Sequence, residues 1–238
     1  MDLHALQLGS RFALGPNQLG YCGHGSAPEK FKDCVIRGNS KGVSPEFRNF
    51  IVLTPYLKTL SAITHQSFLS YPVFEAYWLG NSQLKKAQPY HYPLLMDNFA
   101  KQGVPPWLIT ELRSKTPKEF IPFHLFQILH VGVGRASSAV PFNLKSINNC
   151  MIRWGPVLSV NPQRQTLKVN LASLKKDKSG RYLLTRLTET ASYLPGFLPH
   201  PKAGQTVAVH WGTAAKVLTA REEKNLSYWT GRVLRPVT

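Results

Sequence analysis

The sequence predicts an α+β protein: a mostly α-helical domain over residues 1–145, then a small OB-like β-barrel with a C-terminal helix over residues 146–238. Two textures predict it. Before residue 146, apolar side chains recur at helical spacing between proline, glycine and capping signals. After it, β-branched and apolar residues alternate in short runs punctuated by Gly, Pro, Asn and Lys, and one amphipathic run closes the chain. A chain of 238 residues with 43% hydrophobic and 11% aromatic content suffices for a packed core in one or two domains.

The elements follow in order. Residues 9–43, rich in Gly, Ser and Asn, read as loops with one short helix. "SPEFRNFIVLTPYLKTLSAITHQ" reads as a helix capped by Ser44, with Pro45 in its first turn and Pro55 splitting or kinking it. "YPVFEAYWLGN" is a helix ending at Gly80-Asn81. "YPLLMDNFAKQGVPPWLITELRS" gives two helices broken at Gly103–Pro106, and "TPKE" at 116–119 has the form of a capping box. "FIPFHLFQILHVGVG" reads as a strand, which would set His124 and His130 on one face. "NLKSINN" is a short helix or turn leading to Cys150. Strands then fall at "MIRWGPVLSVN", "TLKVNLASL", "RYLLTRL" and "GQTVAVHWG", and "TAREEKNLSYWTGRVL" is a helix boxed by Thr219 and Glu222.

The net charge is +17, with 15 Lys/Arg against 8 Asp/Glu before residue 146 and 14 against 4 after it. Such a balance suits nucleic acid, an acidic protein face or a membrane surface, or serves solubility alone. The three cysteines, Cys22, Cys34 and Cys150, have no paired spacing and read as free thiols in a reducing compartment. The N-terminus does not read as a signal peptide and no apolar run reaches membrane-spanning length, so a cytoplasmic, soluble protein is expected.

Several residues are candidates for chemistry. Cys150 stands at the mouth of a predicted strand, as a ligand or as a buried structural thiol. His124, His130 and His210 could join it as metal ligands, or serve as hydrogen-bonded core histidines. Arg153 could lower the Cys150 pKa and attract an anion. Cys22 and His24 in "YCGHGS" form a weaker metal candidate, or a mere glycine turn. Glu75 among aromatics is an acid with a raised pKa, or a partner for an arginine. Trp154 and Trp211 are core or rim aromatics, or a stacking platform for bases. Lys175, Lys176 and Lys178 in "LKKDKSGRY" form a basic hairpin tip; with Arg153, Lys168, Arg181 and Arg186 they would make a nucleic-acid track. No Walker loop, GxSxG, HExxH or paired-carboxylate motif occurs, so an enzyme would have to rest on a Cys–His pair.

"CMIRWGPVLSV" and "AGQTVAVHWGTAAKVLTAREEKNL" together resemble the opening and closing segments of the HypC/HupF-type [NiFe]-hydrogenase maturation chaperones. The resemblance covers residues 149–233 and includes Gly204, Val209, His210 and Gly212. It implies a non-enzymatic accessory protein that binds iron transiently through Cys150, with a hydrogenase large subunit precursor or a maturation scaffold protein as partner. In those chaperones the cysteine is the first residue after methionine removal, whereas Cys150 is internal. The whole chain is also similar to an uncharacterised bacterial family with a helical N-terminal region, through Gly20–Gly23, Glu75–Asn81, His124–His130 and Cys150–Gly155.

Overall fold

The computed structural model describes residues 2–23 and 26–235. Helices α1 (Leu3–Gln18), α2 (Ala27–Arg37), α3 (Val43–Arg48), α4 (Leu53–Thr64), α5 (Tyr71–Trp78), α6 (Tyr92–Gln102) and α7 (Pro106–Ser114) form the N-terminal part. The short α8 (His124–Phe126) runs into a π-helical turn, Gln127–Gly132, and α9 (Leu144–Cys150) leads to the sheet. Strands β1 (Arg153–Asn161), β2 (Thr166–Lys176), β3 (Tyr182–Tyr193), β4 (Thr206–His210) and β5 (Thr213–Val217) precede α10 (Ala220–Leu234). The α+β class, the helical N-terminal part and the C-terminal helix all stand as expected.

Helix α1 occupies sequence expected to be mostly loop. Its glycines are packing positions: a Cβ on Gly9 would lie 2.5 Å from Phe74 of α5, and one on Gly15 would lie 2.9 Å from the His210 carbonyl of β4. Asp2 caps the helix through Ala5 N at 3.1 Å and also accepts from Tyr71 N at 2.7 Å, which ties α1 to α5. The long helix expected after Ser44 is two helices. Gly42 rather than Ser44 precedes the first, and Pro55 falls in the first turn of α4, where its missing N–H costs nothing.

Two other expectations are corrected. "TPKE" starts no helix: Pro117 and Pro122 bracket a segment that buries Phe120 and Ile121, and Glu119 pairs with Arg232 at 2.7 Å. The His124–His130 segment is helical rather than a strand. A helix turns about 100° per residue, so positions six apart diverge by about 120° instead of sharing a face.

The five strands close into a ring in the order β1-β2-β3-β5-β4. β1 pairs antiparallel with both β2 and β4, β2 and β3 form a long hairpin, and β3 meets β5 in parallel at Ser192–Thr213. Sequence reasoning missed β5, because "TAAKV" lacks strong alternation. Thr219 and Glu222 form the expected box on α10. One hydrophobic core runs from α1 through the sheet to α10. Arg11 of α1 donates to the Phe197 carbonyl at 2.7 Å and to the Ala215 carbonyl at 3.3 Å, so the helical layer lies directly on the sheet.

Candidate metal centre

A cleft of about 490 Å³ opens where α1, α5 and the π-helical turn meet the ends of α9 and β4. Cys150, His124 and His210 lie along it, and one donor atom from each falls within 4.8 Å of the other two. All three are buried, at 7%, 4% and 3% exposure. The sequence brings them from three elements: the last residue of α9, the first of α8 and the last of β4.

Each imidazole is oriented from behind. His210 Nδ1 donates to the Phe12 carbonyl at 2.6 Å. That carbonyl is available because the residue four ahead of it in α1 is Pro16, which has no N–H to offer. His210 Nε2 therefore carries a lone pair; it is buried and has no hydrogen-bond partner. His124 Nδ1 lies 2.8 Å from the Tyr77 hydroxyl, which in turn contacts Gln127 Oε1. Gln127 follows His124 by one helical turn, so both reach Tyr77 from one face. His124 Nε2 lies 2.8 Å from the Cys150 carbonyl and 4.0 Å from Cys150 Sγ. The two rings stand perpendicular with centroids 5.3 Å apart, and Trp78 packs on both.

Burial keeps the cluster neutral. It pushes the Cys150 thiol well above its ordinary range; charge at Cys22 adds to the rise and the Trp211 indole offsets part of it. Burial drives His124 well below 6.5, helped by His210, and lowers His210 to about 4 against the raising effect of the Phe12 carbonyl.

Trp211 forms the roof. With Gly212 it makes a two-residue turn between β4 and β5, with φ of 49° and 73°. A tryptophan held in the left-handed region is strained, and its backbone N–H donates to the Asn149 carbonyl at 2.8 Å, beside Cys150. Its indole nitrogen is buried and makes no well-formed hydrogen bond, though it stands close enough to Cys150 to offset part of that thiol's rise.

Other expected site residues lie elsewhere. His130 stacks on Phe126 and bonds the Tyr92 hydroxyl at 2.7 Å, away from the cluster. Arg153 does not assist Cys150: its buried guanidinium pairs with Glu189 of β3 at 2.8 Å, because a buried cation requires a countercharge. Trp154 is a core residue. Glu75 is buried and pairs with Arg221 of α10 at 2.8 Å and Asn81 at 2.9 Å, as the arginine alternative anticipated. Lys175, Lys176 and Lys178 sit at the β2–β3 hairpin end, with Lys176 over Tyr182. Cys22 is exposed on the loop after α1 and lines the cleft, while His24 lies outside the described residues. Sequence reasoning missed Tyr77, Gln127 and Pro16. A proline inside a helix was the available signal for the last; the others depend on tertiary approach.

The molecule is an α+β protein with a buried thiol–imidazole cluster at the seam between a helical layer and a closed five-strand sheet. It belongs to the family of unknown function DUF6390, whose model matches residues 3–238. No curated protein and no solved structure matches the chain.

Proposed function

We propose that the protein is a non-enzymatic, metal-binding accessory protein in which Cys150, His124 and His210 hold a thiophilic transition metal. The observation that carries the reading is the buried cluster itself: one donor atom each of Cys150, His124 and His210 lies within 4.8 Å of the other two, and His210 Nε2 is buried without a hydrogen-bond partner. An unpaired buried polar atom costs about 1–3 kcal/mol, a cost that metal ligation would remove. The donor set fits: one sulfur and two imidazoles suit iron, zinc or copper. Tyr77, Gln127 and the Phe12 carbonyl orient the imidazoles as outer partners. The chemistry such a metal supplies is positive charge that lets a buried thiol lose its proton.

His124 carries a tautomer constraint. Without metal, its Nε2–H donates to the Cys150 carbonyl and Tyr77 O–H donates to Nδ1, which requires the Gln127 amide to turn its N–H toward Tyr77. To ligate through Nε2, His124 must instead donate from Nδ1 to Tyr77, and Tyr77 to Gln127 Oε1. The relay accepts either polarity.

The more particular reading follows the C-terminal resemblance. The strand order of the closed sheet supports an OB-like barrel, and Cys150 precedes β1 as the chaperone cysteine precedes its own first strand. In this reading the metal is iron, bound transiently and passed to a hydrogenase large subunit precursor or a maturation scaffold protein.

The alternatives draw less support. A nucleophilic cysteine needs a thiolate–imidazolium pair, whereas burial holds Cys150 and His124 neutral. A single-strand binder needs aromatic platforms, but the exposed large apolar residues on the sheet are Leu158, Leu183, Leu184 and Leu187.

The test is metal analysis with infrared spectra of protein purified anaerobically from a hydrogenase-producing cell, wild type beside Cys150→Ala and His210→Ala. Stoichiometric metal in wild type and loss in both variants is expected; iron with cyanide and carbonyl bands would support the maturation role. Metal without those bands would reject that role and keep the site. Wild-type protein that carries no metal and takes up neither zinc nor cobalt would end the metal reading.

A further inference from the structure

The thiol–bis-imidazole triad leaves one corner of a tetrahedron unfilled, and the cleft above it carries a second thiol. We infer that Cys22 is the fourth ligand, delivered by the loop after α1, so that the centre is a closed Cys2His2 site for a divalent metal. The inference rests on the metal reading above, not on the transient-iron reading, which needs open coordination positions, and it adds the ligand count and the class of metal.

The loop is built to hold Cys22 at the cleft. Gly20 and Gly23, with φ of 72° and 76°, turn the chain back on either side of it. Asn17 Nδ2 donates to the Cys22 carbonyl at 2.5 Å, and Tyr21 N donates to the Pro16 carbonyl at 2.9 Å. The Tyr21 ring packs on Trp211 with centroids 4.6 Å apart, which fastens the loop to the roof over Cys150. Cys22 lines the same cavity as Cys150, His124 and His210. Cys22 lies outside the 4.8 Å triad, so a turn of its side chain is needed to complete the set.

Charge balance argues for a second thiolate. One thiolate and two neutral imidazoles leave a divalent ion with net +1 in a cleft whose described lining contains no Asp or Glu. A buried unbalanced charge is costly. Two thiolates make the site neutral, and metal binding then releases two thiol protons to solvent. His210 and Trp211 line the same cleft, and the ring nitrogens His210 Nε2 and Trp211 Nε1 are both buried without a well-formed hydrogen bond. Cys22 is exposed as a residue and Cys150 is buried, yet burial against the cleft also pushes the Cys22 thiol up to about 11, so both thiols are neutral without metal.

The experiment titrates the metal-free, reduced full-length chain with cobalt(II) chloride and reads sulfur-to-cobalt charge-transfer absorbance per bound ion. Wild type, Cys22→Ser, Cys150→Ser and Cys34→Ser are compared, with circular dichroism verifying the fold. Loss of one of two thiolates leaves about half the intensity, so Cys22→Ser and Cys150→Ser should each fall by about half and Cys34→Ser should match wild type. Iodoacetamide should label Cys22 without metal and fail to label it once zinc is bound. Binding with one thiolate's intensity, unchanged in Cys22→Ser, would overturn the fourth ligand and leave the three-residue site intact. Absence of cobalt bands in wild type would overturn both this inference and the metal reading.

Discussion

Two histidines six residues apart meet opposite fates. His124 enters the cluster, while His130 donates from Nε2 to Tyr92, whose hydroxyl donates onward to the Leu112 carbonyl at 2.9 Å. Burial first, and the charge of Lys115 second, lower His130 to about 4 from 6.5. Between those values the unfolded chain takes up a proton that the native ring refuses. The stability tied to this neutral ring is therefore complete above about pH 6.5 and is lost as pH falls toward 4, by at most about 3 kcal/mol. Denaturant unfolding of metal-free protein should show a smaller loss between pH 7 and 4.5 for His130→Gln than for wild type. Equal losses would remove His130 as a contributor. Both histidines were visible as candidates in the sequence, but their separation hinged on helix against strand. A short apolar run with β-branched members does not settle that locally.

At the scale of elements, α1 matters most to the site. Pro16 withholds an N–H, Phe12 keeps a carbonyl free, and Gly15 lets the helix approach β4 closely enough for His210 to use it. Pro16→Ala would return a competing donor to that carbonyl while improving helix propensity. The expected result is metal affinity lowered by about tenfold or more with thermal stability unchanged or raised, measured by zinc competition and calorimetry. Affinity equal to wild type would mean that the carbonyl serves both donors equally well. Capping residues made α10 and the helix pair α6–α7 legible. The glycines of α1 misled, because a glycine that admits a neighbouring ring has the same letter as one that turns a loop.

The helical part and the sheet share one core. Residues Val207–His210 of β4 are buried, and Phe12 of α1 supplies the acceptor for His210. A fragment spanning residues 146–238 should therefore lack cooperative unfolding and aggregate, while the full chain should unfold in one transition. A folded, monomeric fragment would contradict this. The +17 charge belongs to this scale as well: it is the excess left after all 12 acidic residues are counted, so pairs such as Arg153–Glu189, Arg221–Glu75 and Arg135–Glu111 remove none of it. The exposed strands carry leucines rather than stacking rings.

By itself the sequence determined the α+β class, the change from helix to strand after Cys150 and the terminal helix, and it singled out Cys150 and His210 as candidates. These are carried by local periodicity, capping and residue chemistry, all readable within a few positions. The tertiary structure alone decided which histidines join the thiol, that Arg153 is committed to Glu189, and that Tyr77, Gln127 and the Phe12 carbonyl orient the two imidazoles. Such choices depend on approach between elements that lie up to 198 residues apart, and no local pattern encodes that distance.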